Sequence, residues 1–281
     1  MALSVGNPRI APTAHFTAQA WVRAGFENAA LFDTLEGRLL YGSASRFLGL
    51  LSFGSPLLQH YLDYLHVRHA AFESRLRALA PDAIVEIGAG LSPRGLSFCR
   101  RNPNLVYLEA DLPAMVREKE RALASVMRPS NYHLTTVDLL DGPLEEQLPR
   151  VVERGMRVVV VTEGVVDYLD MGEKRRAFSA IASFLRSHGG GTYLFEAHAR
   201  ELFVEDVRFA RVFTALLGTL VGRNFEGRIF ETVDDARRAV VESGFDTAAV
   251  LDIEALNDTS KRPPLRHCRY RLLEAVIREA T

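Results

Sequence analysis

Cysteine is scarce in this chain: the two residues, Cys99 and Cys268, stand far apart and form no CxxC pair. That excludes a disulfide framework and a cysteine-rich zinc site, and it suits a reducing compartment. Excess charge of either sign is also missing. Lys and Arg number 34 against 35 Asp and Glu, giving a formal charge of −1, and no block of like charge dominates. Phosphate contacts need a basic surface, so no nucleic-acid partner is expected, although a locally basic pocket for a small anion stays open. Long hydrophobic runs are missing too. The uncharged stretch from Phe47 to Leu62 is broken by Ser52, Gly54, Ser55, Pro56, Gln59 and His60. It falls short of the roughly 20 apolar residues that a spanning helix needs. The start, Met1 to Pro8, lacks the basic-then-apolar layout of a secretion signal. The expectations are a cytoplasmic protein with no membrane contact and no metal site.

What is present is ordinary globular material: 281 residues, 48% hydrophobic, enough for a substantial core in one large domain or two small ones. No repeat, low-complexity tract or long linker divides it. The texture changes near Pro81. Residues 1–80 read as a helical extension, with one helix around Thr13–Ala30 and a longer one from Ser55 to Leu79. In the second, Tyr61, Leu65, Phe72, Leu76 and Leu79 recur at helical spacing, and Ser55-Pro56 supplies an N-cap with proline at the first turn. Residues 81–281 alternate. Ala83–Ile87, Leu105–Glu109, His133–Val137, Val158–Thr162 and Thr192–Phe195 read as buried strands, with helices at Pro113–Met127, Leu144–Glu153 and Gly172–Ser187 between them. This rhythm predicts an α/β fold, a Rossmann-like doubly wound sheet. The run 200–230, with Leu202, Phe203, Val207, Phe213 and Leu216, reads as a helical insertion after the fifth strand, either a lid or a packing helix. Thr247–Leu251 reads as a sixth strand, and the period of Cys268–Ile277 does not decide between a last strand and a terminal helix.

Val85-Glu86-Ile87-Gly88-Ala89-Gly90-Leu91 follows the first strand of this series. Gly88 and Gly90 let the backbone approach a ligand closely. The dinucleotide fingerprint needs a small residue three positions past Gly90, where Pro93 stands, and no Walker GK[ST] follows. A diphosphate would sit poorly beside Glu86, whereas a cationic sulfonium would sit well there. Asp111, about 20 residues past the glycines, can accept both hydroxyls of a ribose or cap the next helix.

These residues resemble the leucine carboxyl methyltransferase family of S-adenosylmethionine-dependent enzymes. The likeness rests on Glu86-Ile87-Gly88-Ala89-Gly90-Leu91 with Arg94, on Leu108-Glu109-Ala110-Asp111-Leu112-Pro113 with Lys119, and on Glu163-Gly164-Val165-Val166-Asp167-Tyr168-Leu169. It spans roughly Arg68 to Gly190. One departure is Ser92-Pro93, where family members commonly carry Asp-Thr before the arginine, so loop contacts there must differ. Arg68 lies on the apolar stripe of its helix, four residues before Phe72, and a buried guanidinium needs an anion. The resemblance supplies one, the methionine carboxylate of the cofactor. It also implies that Asp138 takes the adenine amine, that the Leu139 backbone frames the ring, and that Glu163 touches the cofactor. A class I methyltransferase with S-adenosyl-L-methionine as cofactor is therefore expected.

Methyl transfer from a sulfonium asks the protein mainly to hold the nucleophile about 3 Å from the methyl and in line. A carboxylate, of pKa about 4, is ionised already, whereas a phenol, of pKa about 10, gains from a base. No His–carboxylate pair is legible near the strand ends, which leans toward a small-molecule or peptide carboxylate acceptor. The alternatives are a phenol O-methyltransferase of secondary metabolism and a non-catalytic cofactor-binding partner protein. Tyr168 could point its hydroxyl at the acceptor and His198 could act as base. Arg200 could pair an anionic substrate, and His15, Phe16 and Trp21 could form the acceptor pocket. Oligomeric state is not legible.

Overall fold

Strand Val158–Thr162 reads Val-Val-Val-Val-Thr and is buried along its whole length, as a central parallel strand covered on both faces must be. The computed structural model describes residues 11–51, 57–203, 228–256 and 270–279. It places this strand, β4, inside a seven-stranded sheet of order β3-β2-β1-β4-β5-β7-β6. The others are β1 (Ala83–Ile87), β2 (Val106–Asp111), β3 (Tyr132–Thr136), β5 (Gly191–Ala197), β6 (Thr247–Leu251) and β7 (Arg271–Ile277). β1 to β5 pair in parallel, and β7 enters antiparallel between β5 and β6. The ambiguous last segment is thus a strand, buried at Leu272, Leu273, Ala275 and Ile277 from its interior position in the sheet.

Period-2 alternation splits the sheet into two cores. Ala83, Val85, Val158, Val160, Tyr193 and Phe195 face the helices α6 (Leu144–Gln147), α7 (Met171–Ser187) and α8 (Val233–Glu242). Ile84, Tyr107, Val159, Val161 and Leu194 face the other side, where α3 (Leu57–Leu79) and α4 (Arg94–Arg101) pack. The N-terminal helix α1 (Ala11–Ala24) joins this second core through Phe16, Ala20 and Trp21. α5 (Pro113–Ala122) follows β2.

Three helical expectations change. α1 stops at Ala24 because Gly25 takes the left-handed region at φ 72°, and a 3-10 turn, Ala29–Phe32, follows. α2 (Leu35–Leu51) has no counterpart in the sequence reading: Gly37, Gly42, Ser43 and Ser45 dilute its stripe. α5 and α6 end earlier than their apolar patterns. The run 204–227, most of the expected insertion helix, lies outside the described residues. Among the described residues no helix is long and apolar enough to cross a membrane.

Candidate active site

Open parallel sheets bind ligands at the carboxyl ends of their strands, and here those ends open into one cavity of about 240 Å³. Its floor is the glycine turn after β1. Gly88 has φ 73°, and a Cβ there would fall 2.4 Å from Val165 Cγ2, so only glycine lets the two strand-end loops meet. Gly90 N–H donates to Asp111 Oδ2 at 2.6 Å and Leu112 N–H to Asp111 Oδ1 at 2.7 Å. Burial raises the Asp111 carboxyl, and these two amides oppose the rise. Asp138 accepts the Leu140 N–H on Oδ1 at 3.0 Å, and its backbone exchanges hydrogen bonds with the Gln147 side chain. Asp111, Asp138 and Leu139 all line the cavity.

Pro93 alters the turn without opening it. α4 begins at Arg94, and Gly95 performs the close helix–strand packing: a Cβ there would lie 2.4 Å from Glu109 Oε1. Arg94 dives under the loop to Glu86 Oε1 at 2.7 Å and to Glu163 Oε2. Glu86 lines the cavity and is pushed up to about 7, burial outweighing Arg94; its Oε2 accepts the Tyr107 hydroxyl at 2.5 Å. Burial alone would raise Glu163, yet Arg94, His69 and Arg68 hold it well below the usual carboxylate range. Arg68 is buried and lines the cavity. Its Nε donates to Glu163 Oε1 at 3.0 Å, and its Nη1 lies 3.6 Å from Glu196 Oε1.

The cavity is also lined by a pair that the sequence did not disclose. His198 Nδ1, past β5, lies 2.5 Å from Asp167 Oδ2, in the turn after β4. Burial opposes ionisation of Asp167, but His198 brings its carboxyl below the ordinary value. His198 Nε2 is 3.1 Å from the hydroxyl of Tyr64, a residue the motifs do not single out. Its signal was the helical register, since Tyr64 lies one turn before Arg68 on the same face. Tyr168 reaches Thr13 Oγ1 at 3.4 Å, and burial raises its phenol.

Of the three residues expected at the acceptor, Trp21 lines the cavity, as does Phe16, and Trp21 packs on His69 at 4.6 Å between centroids. His15 is turned toward the start of α2, with Nδ1 3.0 Å from Thr34 Oγ1 and Nε2 3.5 Å from Glu36 Oε2. Arg200 lies on the surface, 3.3 Å from Glu231, and does not line the cavity. The helices close the cavity from above: Ala14 sits over Gly90, and Leu40 completes the wall.

Solved structures share this architecture. An O-methyltransferase family protein from Burkholderia thailandensis matches at 16% identity and TM-score 0.55, over 97% of this chain and 73% of that one. Human N-acetylserotonin methyltransferase, in complex with SAM, matches at 13% identity and TM-score 0.51, over 94% of this chain and 70% of that one. PigF, solved with SAH, matches at 13% identity and TM-score 0.50, over 70% of this chain. This chain spans 50% of the length of PigF. At such identities the likeness shows the fold alone, a Rossmann-like α/β sheet. The family model for leucine carboxyl methyltransferase matches residues 52–182, in keeping with the resemblance carried by the three motifs. No curated protein sequence matches the chain.

The cavity's donor set fits the S-adenosylmethionine that the resemblance implies. Asp111, Asp138, Leu139 and Arg68 line it together; were the cofactor bound, Asp111 would meet a ribose diol, Asp138 and the Leu139 backbone an adenine edge, and Arg68 a methionine carboxylate. Leu112, Met115 and Leu139 give apolar walls between them.

Proposed function

We propose that this chain is an O-methyltransferase whose acceptor is a weakly acidic hydroxyl, such as a phenol, on an apolar small molecule. The observation that carries this reading is the His198–Asp167 pair at the cavity, 2.5 Å apart. The lean toward a carboxylate acceptor rested on the lack of such a pair, and that ground falls away. Charge argues the same way. Among the described residues lining the cavity, Arg68 is the one Arg or Lys, and Glu163 and Glu196 already share it. A carboxylate acceptor would meet Asp167 with no cation of its own, a costly arrangement in a buried site. A neutral hydroxyl meets a base and the apolar faces of Phe16, Trp21, Leu40 and Ile229.

When bound, the cofactor supplies an electrophilic methyl on a sulfonium. Asp111, Asp138 and Arg68 hold it, and the cavity walls align the acceptor, which accounts for most of the rate. Asp167 accepts the His198 Nδ1 proton and leaves Nε2 as the basic nitrogen, and it stabilises the imidazolium that forms. The family match keeps the carboxylate reading as the alternative, and the product separates the two. Methyl-labelled cofactor is to be incubated with panels of phenols and carboxylic acids. We expect a base-stable ether and a loss of about a hundredfold or more in kcat for His198→Ala. A label released by mild base, with near-normal turnover in the variant, would establish ester formation instead.

A further inference from the structure

His198 is gripped from both sides, and the second grip runs back to the cofactor's end of the cavity. The Tyr64 hydroxyl lies 3.1 Å from His198 Nε2 and 3.0 Å from Arg68 Nη1. Tyr64 is buried, lines the cavity, and packs edge-on to Tyr270 at 5.0 Å between centroids. Donor and acceptor chemistry gives this chain a direction. A guanidinium only donates, so the Tyr64 oxygen accepts from Arg68. Asp167, favoured as the carboxylate by His198, only accepts, so it takes the proton on Nδ1. A neutral imidazole protonated at Nδ1 has Nε2 as an acceptor, and the group aimed at Nε2 is the Tyr64 O–H. Each link donates a hydrogen bond to the next: Arg68 to Tyr64, Tyr64 to His198, His198 to Asp167.

We propose that Tyr64 is the proton relay between the acceptor hydroxyl and His198. This rests on the base-assisted reading above and specifies its proton path. The acceptor hydroxyl passes its proton to the Tyr64 oxygen while the Tyr64 proton moves to Nε2, leaving His198 as imidazolium beside Asp167. The acceptor oxygen bonds to the methyl carbon as the C–S bond breaks, and that bond's electron pair stays on sulfur, which becomes a neutral thioether. Nothing is oxidised or reduced, and the proton on His198 returns to solvent after release. Arg68 orients the Tyr64 hydroxyl with the same guanidinium that faces the cofactor's carboxylate, so relay and cofactor grip share one side chain.

The direction of the chain can be read without an acceptor. In the full-length protein labelled with 15N-histidine, at alkaline pH, we expect His198 protonated on Nδ1 with Nε2 hydrogen-bonded. Tyr64→Phe should move the Nε2 resonance toward that of a free basic nitrogen. An Nε2–H tautomer in the wild type, or an Nε2 signal indifferent to the variant, would overturn the relay. With a phenol from the panel above, Tyr64→Phe should lower kcat by about tenfold to a hundredfold. S-adenosylhomocysteine affinity should stay within about threefold. The proton inventory in mixed H2O and D2O should change from curved to linear, because one of two moving protons is lost. Unchanged kcat with a curved inventory would sink the proposal. His198→Ala separates the layers: wild-type turnover there removes the base-assisted reading itself, whereas its loss beside full activity in Tyr64→Phe removes the relay alone. If Tyr64→Phe does not fold, 3-fluorotyrosine at position 64, a stronger acid of the same shape, should shift Nε2 toward a stronger hydrogen bond. No shift would count against the relay.

Discussion

Asp111 is fixed by two backbone amides at the glycine turn, and the proposed function gives the same side chain a ligand. Its two oxygens already accept amides from Gly90 and Leu112, which aims the carboxylate into the cavity and fixes the glycine turn. Asp111→Ala removes a charge-assisted contact of about 1.5–3 kcal/mol, so calorimetry should show S-adenosylhomocysteine affinity down by about tenfold to a hundredfold. Equal affinity would place the ribose elsewhere. Glu196 makes a prediction of opposite character. It accepts the Gly164 N–H at 2.5 Å, yet burial lifts its carboxyl from 4.5 to about 7, with Arg68 offsetting part of the rise. The folded state therefore keeps this proton where the unfolded chain has released it. Its stabilising contribution is present below about pH 4.5 and is lost as pH rises through about 7. Glu196→Gln cannot ionise, so its stability should fall less over that window and exceed wild type at pH 8 by about 1–3 kcal/mol. Urea denaturation at pH 5 and pH 8 measures it, and identical pH slopes would refute it.

Among the elements, the turn after β4 is held from beneath by α7. Lys174 is buried and donates to Val166 O at 2.5 Å and Leu169 O at 2.8 Å, bracketing Asp167 and Tyr168. Burial pushes the Lys174 ammonium down to about 8. Lys174→Met strands both carbonyls, so we expect a stability loss of about 2–4 kcal/mol and a lowered kcat with cofactor affinity retained. Denaturation beside calorimetry tests both parts, and intact kcat would detach this turn from catalysis. The parallel strands were legible because burial on both faces forces near-continuous apolar runs such as Val158–Val161. α2 was not, since its small residues blur the period, and β7 was ambiguous because a strand between two others loses its alternation. The site divided along the same line. Gly88, Asp111 and Glu163 sit in local motifs, whereas His198 and Asp167 are 31 residues apart and meet only because β4 and β5 are neighbours. Tyr64 and His198, 134 residues apart, left no joint trace in the sequence.

For the whole molecule, ligand linkage gives a test of the cavity's chemistry. A ligand that binds the native state alone adds about 2.7 kcal/mol at a hundredfold excess over its Kd. S-adenosylhomocysteine at that excess should raise the thermal midpoint, while NAD should not, because Pro93 and Glu86 stand where a pyrophosphate would need small and neutral neighbours. A midpoint raised by NAD alone would reassign the glycine turn.

The cavity's two walls have different origins in the chain. The residues proposed to hold the cofactor, Asp111, Asp138 and Arg68, come from the ends of β2 and β3 and from α3, and each is also bound into backbone hydrogen bonds or a buried ion pair. Much of the opposite wall, Phe16, Thr17, Trp21 and Leu40, comes from α1 and α2, before the sheet begins. On the proposed function, substitution at Phe16, Thr17, Trp21 or Leu40 reshapes the acceptor wall, whereas substitution at Ala14, which sits over Gly90, reaches the glycine turn as well. Divergence in this architecture has a natural seam, and exchange of the α1 and α2 residues on that wall is the engineering route to a new acceptor.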